Sequence, residues 1–300
     1  MTSETTTQPA PVQPPNSRAL RKQRVPITRR RPGFVYVLLL ALAVFFVGPF
    51  LWLVISALKS PGEWAALPLR LLPEQAQWSN FTRALGDMNF VGYAGNSLFL
   101  STAYSLLITL TSAAVGFGFA RLKAPGKRGL FLVVLSTMML PNILTLLPTY
   151  VLFSRIGLIN TYWPWILWGL AASPYLVFLF RQFFSGLPKE LEDAAIIDGA
   201  GWGRIFFVIF LPLSRPVLIT SFLLSFTMTW GDYIAPALFL DLDRTTLAVA
   251  ITAYYQDPNG NVIPTVQAAA AGMYILPVLL IFFFAQRYFI RSSVGSGIKG

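Results

Sequence analysis

The groups best equipped for chemistry in this 300-residue chain are carboxylates, because histidine and cysteine are both absent. Their absence removes the commonest general base, the commonest metal ligand and every thiol reaction together. The 12 Asp and Glu residues are sparse except in one stretch, "ELEDAAIIDGAGWGRIFFVIFLPLSRP" (190–216), which holds Glu190, Glu192, Asp193 and Asp198. A catalytic site would need a nucleophile, an acid/base pair or a metal-binding set. No such constellation is legible, so the chain does not read as an enzyme.

What the cluster offers is placement. Pro188 suits the first turn of a helix, where its missing N–H is not needed, and Glu190, Glu192 and Asp193 then sit where negative charge complements the helix dipole. Ala194 and Ala195 leave one face flat enough for close approach by another surface, and Gly199 ends the helix. The expected element is an acidic helix over 188–198, followed by an apolar run from Trp202 to Phe210 and a stop at Pro212. A plain connector between helices takes about 2 to 8 residues, far fewer than this.

Two other positions invite a chemical reading. Lys127 follows Gly126, but a phosphate-binding loop needs Gly five residues before that pair and Ser or Thr after it, and those positions hold Arg121 and Arg128. The chain does not bind ATP by that device. Asp232, in "TMTWGDYIAPALF", is the acidic residue inside an apolar run. It reads either as a functional group within the membrane or as a hydrated residue at the interface, between Trp230 and Tyr233.

The elements that must position these groups are membrane spans. The chain is 55% hydrophobic and 12% charged, with a mean hydropathy of +0.61, whereas soluble domains are about 25% charged. Uncharged stretches run over Phe34–Leu58, Met88–Ala120, Gly129–Ser154, Ile156–Phe180, Pro216–Gly231 and Pro258–Gln286. A spanning helix needs roughly 20 mostly apolar residues, so six spans are expected, the fifth continuing through Asp232 to Leu240. Pro141 and Pro148 fall inside the third and Pro174 inside the fourth, where kinks are tolerated if neighbouring protein recovers the freed backbone groups.

Lys59, Arg70, Arg83, Arg155 and Arg244 fall on one side of these spans, and all the rest of the 23 Lys and Arg fall on the other. Positive charge is retained in the cytoplasm, so both termini and the 190–216 stretch are expected there. The net charge of +11 is thereby accounted for by loops flanking spans, without nucleic acid. Residues 1–33 are Thr, Pro, Gln and Arg-rich and expected to be disordered. They do not form a cleavable signal, because the apolar run that follows is too long.

The spacing Asp193-Ala194-Ala195, three residues, Gly199, nine residues, Ile209, one residue, Leu211-Pro212 resembles the cytoplasmic signature loop of binding-protein-dependent ABC importer permeases. Asp193 stands where that signature begins with Glu, keeping the charge and shortening the reach. "NSLFLSTAYSLLITLTSAAVGFGFARLKAPGKRGLF", "TTLAVAI" and the closing "AQRYFIRSSVGSGIKG" resemble the smaller maltose-type subunit of carbohydrate importers.

The resemblance implies an all-α, six-helix permease of type I ABC importer fold in the cytoplasmic membrane. It divides the chain into a cytoplasmic tail (1–33), a first transmembrane helix (34–58), an extracytoplasmic segment (59–91), a transmembrane core (92–290) carrying a coupling loop (186–212), and a cytoplasmic tail (291–300). Expected partners are a second permease subunit, two cytosolic ATPase subunits that bind ATP and Mg, an extracytoplasmic solute-binding protein, and a carbohydrate substrate. Glu190, Asp193, Ala194, Ala195, Asp198, Gly199, Ile209, Leu211 and Pro212 would make the ATPase contact. Asn142, Tyr150, Trp230 and Asp232 are candidates for the substrate path, able to hold hydroxyls or stack on sugar rings. An ion-coupled secondary transporter is the alternative, although it would have only Asp232 as an ionisable group within a span.

The charge distribution makes a direct prediction in this cysteine-free chain. Single cysteines at Ser17 and Ser296 resist a membrane-impermeant thiol reagent in intact cells, whereas one at Asn259 is labelled. Labelling at the first two positions overturns the orientation.

Overall fold

The computed structural model describes residues 33–295. The expected 1–33 tail, apart from Gly33, and residues 296–300 of the expected C-terminal tail lie outside the described residues. Two units divide between Gly48 and Pro49, inside the first helix, α1 (Gly33–Ala57). In the first unit, α1 exposes Phe34, Val37, Val44, Phe45 and Phe46. An apolar surface all round is the pattern of a helix surrounded by lipid.

The second unit continues α1 and adds α2 (Pro61–Trp64), α3 (Ser79–Gly86), α4 (Phe90–Arg121), α5 (Lys127–Thr137), α6 (Asn142–Arg155), α7 (Trp163–Leu170), α8 (Pro174–Ser185) and α9 (Glu190–Ile197). It goes on through α10 (Trp202–Arg204), a π-helical stretch (Ile205–Phe210), α11 (Leu211–Leu213), α12 (Arg215–Trp230), α13 (Ile234–Phe239), α14 (Leu247–Tyr254) and α15 (Pro264–Gly295). Among the described residues, strand pairing is limited to one bridge, Gln256 with Val262.

Four helical segments are long and apolar enough to cross a membrane: α1, α4, Trp163–Ser185 and Pro264–Phe284. Two further pairs pass the same test together but are sharply bent, α5 with α6 by 93° and Trp202–Leu213 with α12 by 79°. Counting each bent pair as one crossing gives six.

The prolines do not act alike. Pro141 breaks the third span instead of kinking it: it sits ahead of α6 in extended conformation, with ψ 131°. The residue before a proline is also pushed away from the helical region. Pro148 remains inside α6. The fourth span starts at Trp163 and not at Ile156, because Gly157 and Asn160 take positive φ and turn the chain first. The fifth ends at Trp230 with Gly231 as its cap. Asp232 therefore lies in a break, where its Oδ1 accepts from the backbone N–H of Ile234 at 3.0 Å and Ala235 at 3.3 Å, and so starts α13.

The central element is α4. Between α7 and α8, Ala172 takes a positive φ and Ser173 is extended ahead of Pro174, so Ser173 N–H does not give Gly169 O a helical bond. Consecutive α4 residues replace it: Thr111 Oγ1 donates to Gly169 O at 2.9 Å, and Ser173 N–H donates to Ser112 Oγ at 2.8 Å. Toward the other end of α4, Ser97 Oγ accepts from Leu247 N–H at 2.8 Å and Asn96 Nδ2 donates to Thr245 O at 3.1 Å. There too lies the segment after α1, with Lys59 buried against Trp52 and donating to Arg70 O. Glu63, in a capping box with Ser60, is held below the usual carboxylate range by the backbone N–H groups of Ser60 and Glu74.

Close approach of α8 to α4 depends on Gly116. A Cβ there would lie 2.6 Å from Phe180 Cβ and 3.1 Å from both Arg181 N and Val177 O. The same change elsewhere on α4 meets nothing, since a Cβ at Gly95 has no neighbour within 4 Å. Gly116→Ala is therefore expected to destabilise the detergent-solubilised protein by about 1–3 kcal/mol through overpacking. Gly95→Ala is expected to leave the unfolding temperature equal or higher, because alanine is the better helix former. Equal unfolding temperatures for the two variants contradict the packing account.

Candidate functional site

The loop between α8 and α12 is folded, with its own core. Its helix α9 begins at Glu190 with Lys189 at the cap, so it is shorter than the expected 188–198 and Pro188 precedes it. Glu190, Glu192 and Asp193 occupy the first turn, where carboxylates complement the dipole. The end is a Schellman motif: Gly199 N–H donates to Ile196 O at 3.0 Å and Ala200 N–H to Ala195 O at 2.9 Å. Gly199 makes this possible by taking φ 77°, a region that costs a side-chain-bearing residue about 1–2 kcal/mol.

Two faces of α9 do different things. Ala195 is 8% exposed and belongs to the apolar cluster that includes Phe117, Phe180, Phe184, Ile205, Phe206 and Phe210. The ring of Phe117, from α4, stands 5.2 Å from Phe206 and 5.1 Å from Phe210. Ile209 and Leu211 are half-buried at the edge of this cluster, and Pro212 is exposed. On the other face, Glu190, Asp193, Ala194 and Ile197 are all exposed, Ile197 at 85%. Their i, i+3, i+4, i+7 spacing puts them in one stripe. Asp198, at the cap, is exposed as well. The flat face expected from Ala194 and Ala195 together is thus divided: Ala195 belongs to the loop's own core and Ala194 to the open surface.

Glu192 departs from the expected outward display of carboxylates. It points inward to Arg121, the last residue of α4, with Nη1 3.4 Å from Glu192 Oε2 and the two side chains only 4% and 12% exposed. Arg121 Nη2 also donates to Phe184 O at 2.5 Å and Leu187 O at 2.6 Å. These are carbonyls at and beyond the end of α8, where a helix lacks internal donors and favours positive charge. The guanidinium lies 4.9 Å from the centre of the Phe210 ring. One side chain thus ties together α4, α8, α9 and the π-helical stretch. Sequence reasoning counted Arg121 only as a loop charge; its place at the last position of an uncharged span was the available signal. A groove of about 440 Å³ runs beside it, lined by Arg121, Lys123, Glu192, Asp193, Ile196 and Trp202.

The four substrate-path candidates are not gathered into one site. Trp230 is 3% exposed, stacked between Phe226 and Tyr274 with centroids 5.8 and 5.3 Å away, so both ring faces are covered. Its Nε1 donates to Tyr274 O at 3.2 Å, and the Tyr274 hydroxyl donates back to Trp230 O. Asp232 starts α13, and Tyr150, half-buried, meets Phe239 at the end of the same helix edge-on at 5.5 Å. Asn142 is exposed at the start of α6, and its side chain hydrogen-bonds none of the other three.

A bundle of apolar helices, some of them broken, with a folded loop pinned to its central helix, defines a multi-span membrane protein. Residues 108–293 match the binding-protein-dependent transport system inner membrane component family, and the chain belongs to it. It is similar to the diacetylchitobiose uptake system permease protein NgcG of Streptomyces coelicolor, 32% identical over 271 residues, covering 90% of this chain and 89% of that one. It is also similar to the arabinooligosaccharides transport system permease protein AraQ of Halalkalibacterium halodurans, 34% identical over 272 residues and 89% of this chain and 95% of that one. A chain in the crystal structure of a bacterial ABC transporter involved in the import of the acidic polysaccharide alginate has the same fold. Its TM-score is 0.72 over 86% of this chain and 96% of that one, at 23% identity.

The Schellman motif makes a local prediction. Gly199→Val strains the left-handed cap by about 1–2 kcal/mol and is expected to raise the rate of limited proteolysis within 186–212. Gly201→Ala, at an ordinary extended φ of −74°, leaves that rate unchanged. Equal rates for both variants and the parent rule the cap out as a constraint on the loop.

Proposed function

We propose that this permease subunit moves a carbohydrate inward across the membrane and takes its energy from a separate ATPase through the 188–212 loop. The observation that carries the reading is the division of α9: one face is built into the bundle's core, and the other displays Glu190, Asp193, Ala194 and Ile197 to solvent. An exposed stripe with an isoleucine at its centre line, carried on a packed base, has the form of a docking surface. Its carboxylates meet basic groups on the ATPase, and Ala194 allows that surface to approach closely. Asp198, Gly199, Ile209, Leu211 and Pro212 shape and return the loop.

In this reading both termini and the loop face the cytoplasm. A second permease completes the transmembrane pathway, two ATPase subunits bind ATP and Mg, and an extracytoplasmic binding protein delivers the solute. The substrate class is supported by the names of the relatives, whose substrates include diacetylchitobiose and arabinooligosaccharides. None of these relatives supports the ion-coupled alternative. Asn142, Tyr150 and Asp232 contribute to the pathway wall, and Trp230 supports that wall from behind while it is stacked on Tyr274.

Ala194→Arg tests the docking surface. Ala194 is exposed in the permease, so the variant is expected to insert and fold. In the assembled complex the added side chain would occupy the space of close approach and compete for the carboxylates of Glu190 and Asp193, and ATPase recovered in a pull-down is expected to fall about 100-fold. Full recovery of the ATPase sinks the docking role. The sugar class is tested separately: diacetylchitobiose or an arabino-oligosaccharide is expected to raise the melting temperature of the cognate binding protein, and no shift with any carbohydrate in a panel removes that class.

A further inference from the structure

We propose that Arg121 is the positioning residue that makes α9 and α4 move as one body, so that displacement of the loop by the ATPase reaches the membrane-spanning helix undiminished. The proposal rests on the docking role of the outward face of α9 and adds to it an inward connection. Four contacts converge on this one guanidinium: the Glu192 carboxylate of α9 at 3.4 Å, the Phe184 and Leu187 carbonyls at 2.5 and 2.6 Å, and the Phe210 ring at 4.9 Å.

The chemistry of the group explains why it suits this task. A planar guanidinium presents five donors in a fixed fork and remains charged, so it can bind several acceptors at once without yielding its proton. Here the acceptors belong to different elements. With the side chains of Arg121 and Glu192 only 4% and 12% exposed, little water is available to take over if α9 moves away from α4. Separating them would leave a buried charge unpaired, which is strongly unfavourable. The contact of α9 with the bundle otherwise runs through apolar surfaces around Ala195 and Phe206, which are non-directional and permit sliding. On the α9 side the link is narrow: Glu192 Oε2 has no hydrogen-bond partner and reaches the bundle through this ionic contact, while the other contacts of the guanidinium go to the end of α8, to Leu187 and to the Phe210 ring.

The absence of cysteine allows a direct measurement on the full complex of permeases, ATPase and binding protein. Spin labels are placed on cysteines at Lys189, which is exposed beside α9, and at Val115, which is exposed on α4, and the distance is read with and without ATP, Mg and vanadate. With Arg121 present the distance is expected to stay fixed when the nucleotide is added. In Arg121→Met it is expected to shift by more than about 2 Å, the upper range of ordinary helix shifts at interfaces, while the ATPase is still recovered in a pull-down. Arg121→Lys, which keeps the charge but loses the fork, is expected to give an intermediate shift. The exchange Arg121→Glu with Glu192→Arg is expected to shift less than either single change.

A nucleotide-independent distance in Arg121→Met overturns the proposal, and so does loss of the ATPase from that variant, since Arg121 would then shape the docking surface instead of transmitting its motion. If Arg121→Met fails to insert and fold, Glu192→Gln decides: it removes only the charge, and an unchanged distance on nucleotide addition rejects the role. Failure of the underlying docking role is distinguishable, because it shows as full ATPase recovery in Ala194→Arg regardless of what Arg121 does.

Discussion

Hydrocarbon offers no partner to a backbone amide or carbonyl, so every place where a membrane helix breaks must find its hydrogen bonds elsewhere in the protein. This chain breaks its helices repeatedly, and α4 supplies many of the missing partners. Thr111 and Ser112 stand in for the bond lost between α7 and α8. Ser97 and Asn96 hold the start of α14 and the segment before it. Arg121 takes up carbonyls where α8 ends. The apolar surface of α4 gives the bundle its cohesion, but its hydroxyl, amide and guanidinium groups determine which irregular backbones the bundle can tolerate.

The same helix explains how the loop between α8 and α12 can have a fixed shape. Short helices in isolation are marginal in water, and α9 has only 8 residues. It is held by burial of Ala195 in the apolar cluster that includes Phe117 and Phe206, by the Schellman cap at Gly199, and by the ionic contact of Glu192. The acidic character that marks this stretch in the sequence therefore serves two purposes. Glu192 faces into the fold, while Glu190 and Asp193 remain free at the surface.

Much of this was legible in the sequence where a local rule governs. Runs of uncharged residues located the apolar helices, Gly199 marked the helix end it forms, and Pro174 marked the break between α7 and α8. The rest depended on partners distant in the chain. Pro141 and Pro148 look equivalent in sequence, yet one breaks the helix and the other stays within it. Arg121 looked like any other loop charge until Glu192, 71 positions later, was found beside it. Trp230 offered an aromatic surface, but Phe226 and Tyr274 cover both of its faces. Asp232 left both of its readings open because its role as the start of α13 requires Gly231 to end α12 first.

The position of Gly116 on α4 has a mechanical consequence. The helix has 32 residues, about 48 Å at 1.5 Å per residue, and the tight contact with α8 lies only a few residues from Arg121. Arg121, about 7 Å further along, binds carbonyls where α8 ends. Clasped at two points, α4 and α8 turn together as one lever, whose arm from Gly116 to Phe90 is roughly 39 Å. A small rotation at the clasp is thereby magnified at the far end of α4.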